Sequence, residues 1–482
     1  MGSVRVESKQ KTCRQDGQHP QKSIRSLALL SCWRGHFTLA SESSVIANYP
    51  TVEIPLEGSP YRSVIVVVSL LILGGLLQQG IRRSLAQRDS ESTNFEQLRK
   101  AVALEPGNAE YWDLLGRFQE LDFEHPDFNA AIQYFQRAVQ LSPRNSAYWI
   151  DLSSAYETAG DAPHAQQALD TARSVYPASA EVVWEYGNYL LRQGDFDAGL
   201  AQIGQSIRID PTLLPLAISR SWRANQDVNQ LLDHMLPVDI DAYFQALDFF
   251  AAIHEADAGM AVWRRILALQ KTFPLSRSFP FIDELIRQDR TAETREVWRD
   301  AVARSGPVSM GGASSLVWDG TFDQDFANGG LGWRVTDLVG VSREFDTKIF
   351  VSAPRSLRID FGGATNIDLW EPSQFVPVEP NRTYRFQCSL RTDVISTESG
   401  VRFAVFDPQH AGMPDLLTPS LTGTNEWTTQ TGTITAGPQT HFLEICVRRR
   451  PSRLFENRLS GTAWVDDVSL YPVETPAGAS DK

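Results

Sequence analysis

Four prolines recur at nearly constant spacing in the first half of the chain. Pro106, Pro143, Pro177 and Pro211 follow one another at intervals of 37, 34 and 34 residues. A period near 34 residues is typical of helical hairpins, which bury their apolar faces only by stacking on neighbouring hairpins. The spacing therefore predicts an all-α solenoid, a fold that usually provides a binding surface and rarely a catalytic centre.

Aromatic, small and proline positions recur together within these units. The recurring residues are Tyr111, Trp112, Leu115, Gly116 and Ala131 in the first unit, Tyr148, Trp149, Leu152, Tyr156 and Ala165 in the second, and Val183, Gly187, Leu190, Gly199 and Ile203 in the third. This pattern resembles the tetratricopeptide family over about residues 92–212. The resemblance implies a groove that holds a peptide or helix of a protein partner, with Trp112 and Trp149 in the core. Helical patterning without clear repeats continues to residue 306, so we predict a solenoid over residues 90–306.

An uncharged apolar segment precedes the solenoid. Ser63 to Ile81 spans 19 residues, or roughly 28 Å as a helix, which matches the apolar thickness of a bilayer. A buried core helix is the alternative, but we predict one transmembrane helix over residues 61–83. Residues 1–60 read as a disordered basic segment or as an over-long gene start.

Charge gives conflicting information about membrane orientation. Arg82, Arg83 and Arg88 follow the span, which by the positive-inside rule favours a cytoplasmic C-terminal part. The ligand predicted below for the C-terminal domain favours the opposite side. We therefore expect a single-pass protein of a bacterial inner membrane with its C-terminal domains outside the cytoplasm.

The periodicity changes to that of short strands beyond a small-residue linker at residues 307–315. Alternating segments between Gly, Pro and Asn turns recur over about 160 residues, which predicts an all-β, two-sheet antiparallel sandwich. The predicted strands are Ser356–Phe361, Asn366–Trp370, Thr383–Arg391, Val401–Phe406, Trp427–Ile434, His441–Arg448 and Thr462–Tyr471. We place the sandwich at residues 316–474 and a tail at residues 475–482, so the predicted fold is multidomain.

The C-terminal segment resembles the carbohydrate-binding jelly rolls of the galactose-binding-like superfamily. The resemblance rests on an opening Asp-Gly-Thr-Phe-Asp at residues 319–323 and a closing strand, Gly-Thr-Ala-Trp-Val-Asp-Asp-Val-Ser-Leu, at residues 461–470. It implies a structural calcium ion between the opening turn and the last strand, with Asp323 and Asp467 as carboxylate ligands. A turn capped by Asp466 and Asp467 without metal is the alternative.

The same resemblance implies a glycan ligand. Ile367 and Leu369 alternate with Trp370, so Trp370 is expected to point outward and to stack on a sugar ring. The remaining predicted contacts are polar residues on outward strand faces: Arg385, Gln387, Arg391, Arg402 and Arg448. Guanidinium groups bind carboxylates in a bidentate manner, which indicates an acidic polysaccharide. In the alternative, Trp370 covers a loop or the helices and the arginines are only solvated.

Other classes of function find little support in the sequence. The net charge of −13 argues against a nucleic-acid partner. The sequence has no phosphate loop, zinc-protease motif or nucleophile elbow, so we predict no enzyme, although a two-carboxylate glycosidase site stays open. The four cysteines match no metal site, and a bridge between Cys388 and Cys446 is not favoured.

These features together predict a membrane-anchored, non-enzymatic adaptor. The solenoid would bind a protein partner and the jelly roll a polysaccharide, in the assembly or export of exopolysaccharide or O-antigen. The alternative is a protein–protein scaffold whose jelly roll has no sugar ligand.

Overall fold

The computed structural model describes residues 61–91, 94–122, 125–306, 315–409, 415–455 and 457–473. The predictions for residues 1–60, for residues 307–314 of the linker and for the tail fall outside these ranges. The chain divides into two compact units, and the boundary lies between Phe118 and Gln119.

Fourteen helices occupy the N-terminal part of the described chain. They are α1 Tyr61–Ser90, α2 Phe95–Leu104, α3 Ala109–Leu121, α4 Phe128–Leu141, α5 Ser146–Thr158, α6 Ala162–Val175, α7 Ala180–Arg192, α8 Phe196–Ile209, α9 Leu214–Ala224, α10 Val228–Gln230, α11 Ile240–Ala252, α12 Ala256–Ala268, α13 Phe279–Arg287 and α14 Thr291–Ser305. The predicted all-α region is confirmed. Helix α1 is long and apolar enough to cross a membrane, and it extends seven residues beyond the predicted span.

The helical hairpins are set by local signals in the sequence. Asn145, Asp161 and Asp195 accept hydrogen bonds from backbone N–H groups in the first turns of α5, α6 and α8. The indole of Trp149 donates to the carbonyl of Pro143 at 3.0 Å, which ties the recurring tryptophan to the recurring proline. At Gly187 a Cβ atom would lie 2.8 Å from Ile203, so glycine permits close packing of α7 on α8.

Nine strands form the C-terminal part of the chain within the described ranges. They are β1 Val341–Asp346, β2 Ser356–Gly362, β3 Ser373–Pro377, β4 Thr383–Ile395, β5 Arg402–Phe406, β6 Leu416–Leu417, β7 Gly423–Thr435, β8 Phe442–Arg448 and β9 Ser460–Pro472. The sheets have the orders β1-β2-β9-β4-β7 and β3-β8-β5-β6, with all pairs antiparallel. The prediction of an all-β sandwich is therefore confirmed. Asn366–Trp370, predicted as a strand, is instead a loop with one isolated bridge, Leu369 to Arg449.

Alternation along the strands builds the sandwich core. On β4 the residues Tyr384, Phe386 and Leu390 face this core, and each is at most 1% exposed. Cys388 and Cys446 are both buried and free, and burial raises the pKa of both thiols.

One end of the sandwich packs against the last helices. Phe442, the first residue of β8, belongs to the same apolar core as Trp298 of α14. Arg334 forms an ion pair with Asp283 of α13, and Arg295 donates to the carbonyl of Pro377 at 2.9 Å. These contacts fix one part of the four-stranded sheet on the helical array.

Candidate functional site

The outer face of the four-stranded sheet carries a cluster of one tryptophan and several arginines. Along β8, Phe442, Glu444, Cys446 and Arg448 share this face, because Leu443, Ile445 and Val447 point into the sandwich core. Phe442 packs on the helices, whereas Arg448 lies six residues further along the strand, about 20 Å away. The far half of the face is therefore where a ligand has room.

Trp370 lies at the centre of this cluster. Its side chain is 42% exposed, and its ring meets Phe406 edge-on with centroids 5.7 Å apart. The guanidinium carbon of Arg448 lies 3.7 Å from the ring centroid. Arg402 is paired in register with Arg448 on the neighbouring strand. We call Trp370, Arg402, Phe406 and Arg448 the Trp370 patch.

Arg448, predicted as an outward glycan contact, is not solvated as the alternative to that prediction expects. The side chain is only 6% exposed, and it forms an ion pair with Asp368 and donates to the carbonyl of Leu369 at 3.0 Å. The alternation of β8 correctly assigned the outward direction, but it could not show that the 364–370 loop would fold over the arginine. Arg448 thus supports the tryptophan, and only part of its guanidinium is available to a ligand.

Arg402 has an uncompensated charge. Its Nε–H is buried and has no hydrogen-bond partner, and it forms no ion pair with any described carboxylate. Burial, followed by repulsion from Arg450 and Arg448, lowers the pKa of Arg402. An anionic oxygen at this position would satisfy the donor and offset the repulsion.

Other arginines also leave an Nε–H unpaired, but they differ from Arg402 in one respect. Arg334, Arg343 and Arg391 each form an ion pair, with Asp283, Glu371 and Glu426 respectively. Their charge is therefore already balanced by the protein.

The remaining predicted glycan contacts lie on the other sheet. Arg385, Gln387 and Arg391 are on the outer face of β4, which belongs to the five-stranded sheet. Arg391 is paired with Glu426 at 2.7 Å. The six predicted residues thus occupy two opposite faces, and only Trp370, Arg402 and Arg448 come together. Phe406 was missed, although the alternation of β5 places it on the same outward face as Arg402, four residues further along the strand.

The predicted calcium ligands lie in the opening turn and on β9. Asp323 accepts from Thr321 Oγ1 at 2.9 Å through Oδ2, whereas its Oδ1 is buried and has no hydrogen-bond partner. The carboxylate of Asp467 accepts from Ser352 Oγ. The opening turn and β9 are joined by the N–H of Val468, which donates to the carbonyl of Gly320 at 2.8 Å.

Two further aspartates at this place are deeply buried. Burial raises the pKa of Asp319 to about 7 and that of Asp466 to about 6. Asp466 accepts from the N–H groups of Val351 and Ser352 at 2.7 and 2.9 Å. No three histidine, cysteine, aspartate or glutamate side chains in the described ranges are grouped to hold a metal. A calcium shell here would therefore need backbone carbonyls in addition to Asp323 and Asp467.

A second candidate surface is a cleft of about 470 Å³ in the helical array. Ser154, Glu157 and Thr158 of α5 face Glu185 and Arg192 of α7 across it. Arg192 holds Glu157 in a bidentate ion pair with bonds of 2.7 and 2.8 Å. Burial raises the pKa of Glu185. The cleft is thus a polar groove with both signs of charge, suited to a peptide.

Comparisons with known proteins address both regions. The family described as Tetratricopeptide repeat matches residues 123–183. No curated protein matches the chain. A crystal structure of MamA protein is 17% identical and covers 40% of this chain and 91% of its own, with a TM-score of 0.26. The Pseudomonas aeruginosa pilF structure is 15% identical and covers 41% and 93%, with a TM-score of 0.27.

A structure described as "CBM4 structure and function" is 17% identical and covers 33% of this chain and 99% of its own, with a TM-score of 0.25. At these identities and TM-scores the solved structures support no argument about ligands. Residues 123–183 therefore match a tetratricopeptide repeat, and arrays of such repeats typically serve as non-enzymatic scaffolds for protein interactions.

Proposed function

We propose that this chain is a membrane-anchored, non-enzymatic adaptor whose helical array binds a protein partner and whose sandwich binds an acidic polysaccharide at the Trp370 patch. The observation that carries the glycan part is the unpaired, buried Nε–H of Arg402, a residue in register with Arg448, which stacks on the exposed Trp370. Sugar rings offer apolar faces for stacking on Trp370. A uronate carboxylate supplies the anionic oxygen that Arg402 lacks.

The protein partner would occupy the cleft between α5 and α7. Its polar lining, with an ion pair at one edge, favours a peptide that carries its own charges and hydrogen-bonding groups. Ser154 is exposed within this cleft, whereas Ser174 is exposed on a separate cleft lined by α6. A photo-crosslinker at position 154 should capture the partner, and one at position 174 should not.

The cellular setting follows from the membrane helix and the ligand. Surface polysaccharides mature outside the cytoplasm, so the C-terminal part would face that side of a bacterial inner membrane. The protein would connect a component of exopolysaccharide or O-antigen assembly or export to the polymer. A protease-protection assay on intact spheroplasts tests the orientation, and full protection of the sandwich would contradict it.

Gel retardation tests the glycan proposal. The full chain in detergent should be retarded in gels that contain alginate, an acidic polymer, and not in gels that contain dextran, a neutral one. Replacement of Trp370 by alanine should abolish the retardation. If the wild-type chain is not retarded by any acidic polymer, the sandwich serves only protein contacts, which is the alternative function.

Calcium binding is a further part of the proposal. The orphaned Oδ1 of Asp323 suits a hard cation that prefers oxygen ligands, and Asp467 would supply a second carboxylate. The ion would stabilise the opening turn against β9 and would take no part in chemistry. Calcium-45 binding that is lost in the Asp323→Asn chain would support this role, and its absence in the wild type would exclude it.

A further inference from the structure

The sandwich has an unusual concentration of exposed apolar side chains at one end. Phe455 is fully exposed, and Val339, Val394 and Leu454 are 81%, 63% and 59% exposed. We call these four residues the apolar tip. Scattered exposed apolar residues are normal on a protein surface, but four that lie at one end of the sandwich require an explanation.

The strand pairing places these residues at the same end. Leu454 and Phe455 lie in the loop between β8 and β9, and Val394 is near the end of β4, which pairs with the start of β9. Val339 precedes β1, whose first residue, Val341, pairs with the end of β2. This end is remote from Phe442, the residue of β8 that packs on the helices.

The tip is flanked by positive charge. Arg453 and Arg458 are exposed and Arg450 is half-buried, and none forms an ion pair with a described carboxylate. In the sequence of this loop, Glu456 is the one acidic residue against these three arginines. The loop itself therefore carries positive charge, although the whole chain carries a net charge of −13. Acidic groups also lie at this end, since Asp393 precedes Val394 and Glu398 accepts a hydrogen bond from Ser452 of the loop.

The loop has a firmly held base. Arg449 is fully buried and donates to Asn366 Oδ1 at 2.7 Å and to the carbonyl of Ser399 at 3.2 Å. The N–H of Ser452 donates to the same Asn366 oxygen at 2.9 Å. The loop is thus held as far as Ser452, and the exposed Leu454 and Phe455 follow this held segment directly.

We infer that the apolar tip docks on an anionic lipid bilayer. Phe455 and Leu454 enter the interface between headgroups and acyl chains, while Arg453 and Arg458 bind lipid phosphates. Exposed aromatic and aliphatic residues beside arginines match this boundary, which is apolar on one side and negatively charged on the other. The same chain contains a helix long and apolar enough to cross a membrane, which favours a bilayer as the partner of the tip. This docking does not depend on glycan binding.

An environment-sensitive probe at the tip tests the inference. In the full chain, Phe455→Cys is labelled with NBD and compared with Val351→Cys, an exposed position in the β1–β2 loop at the opposite end. Cys13→Ser and Cys32→Ser are introduced in both chains, since the other two cysteines are buried. Each protein is reconstituted in vesicles of phosphatidylcholine with or without phosphatidylglycerol, together with a lipid that carries a nitroxide on its acyl chain.

We expect brighter NBD emission and nitroxide quenching at position 455 only, and only with phosphatidylglycerol. Replacing Arg453 and Arg458 by alanine should lower the docked-to-free ratio by on the order of tenfold or more. Equal signals at positions 455 and 351 would overturn the inference. Nitroxide quenching at position 455 that changes neither with phosphatidylglycerol nor with the two arginine substitutions would also overturn it. The same holds if added alginate changes the NBD emission and lipid does not.

Discussion

The guanidinium carbon of Arg448 lies 3.7 Å from the centre of the Trp370 ring, and the two side chains form one unit. Arg448 is held from below by Asp368 and by the carbonyl of Leu369. The indole is thereby supported by Arg448, and the tryptophan remains 42% exposed. A tryptophan fixed in this way can stack on a sugar ring without first losing side-chain freedom.

Truncation of the tryptophan should remove this platform. We predict that Trp370→Ala lowers affinity for alginate by about tenfold or more, which corresponds to roughly 1.4 kcal/mol. Arg385→Ala is the matched control, since Arg385 is exposed on the opposite sheet and should leave affinity unchanged. Equal losses in the two variants, measured by biolayer interferometry, would argue against a localised site.

Glu444 makes stability depend on pH. Burial raises its pKa, only partly opposed by a hydrogen bond with Ser373 and by the charge of Arg334. Because the folded-state pKa is above the unfolded one, stability is lost as pH rises through the ordinary glutamate range towards the folded-state pKa. We predict that Glu444→Gln raises the melting temperature by about 2 °C at pH 7 and leaves it unchanged at pH 4. Differential scanning fluorimetry checks this, and an equal shift at both pH values would disprove the cause.

Gly329 lies where the sandwich meets the helices. A Cβ atom there would come within 2.2 Å of the Phe279 ring, which is stacked on Trp298 of α14. We predict that Gly329→Ala destabilises the chain by about 1–3 kcal/mol in urea unfolding. Gly107→Ala serves as control, since its added Cβ would meet nothing within 4 Å. If Gly329→Ala leaves the free energy of unfolding unchanged, the sandwich and the helices are less closely packed at this position than the contacts indicate.

Local patterns in the sequence predicted the helices and most of the strands. The recurring tryptophan and proline predicted repeats because Trp149 bonds to Pro143 within six residues of sequence. Alternation also predicted that Ile367 and Leu369 are buried while Trp370 is exposed. Both signals depend on neighbours in sequence, which is why they could be read from it. The strands β1, β3 and β6 were missed because they are short edge or near-edge strands with weak alternation.

Non-local pairing was not predictable in the same way. Arg385 and Arg402 both point outward, but only the strand orders show that they lie on opposite sheets. Likewise, alternation marked the outward face of β8 without revealing that helices cover Phe442 and that Trp370 covers Arg448. The outward direction of these side chains could therefore be predicted from the sequence, and their grouping in space could not.

Calcium should stabilise the fold if the proposed site exists. With calcium at a hundredfold excess over its dissociation constant, the gain is about 2.7 kcal/mol, or roughly 5 °C in melting temperature. Asp323→Asn should abolish the difference in melting temperature between calcium and EDTA, because it removes the negative charge of the carboxylate whose Oδ1 has no hydrogen-bond partner. Asp325→Asn, a neighbouring exposed aspartate, should retain it. A wild-type chain that melts at the same temperature with calcium and with EDTA would rule the ion out.

The most direct test of the account measures whether the Trp370 patch recognises the charge of a polysaccharide. Immobilised alginate and the same polymer after carboxyl reduction are compared for binding of the full wild-type chain and of Arg402→Gln. We predict that the wild type binds native alginate, that carboxyl reduction abolishes binding, and that Arg402→Gln binds neither surface. Equal binding of the wild type to both polymers, or full binding by Arg402→Gln, would contradict the proposed site.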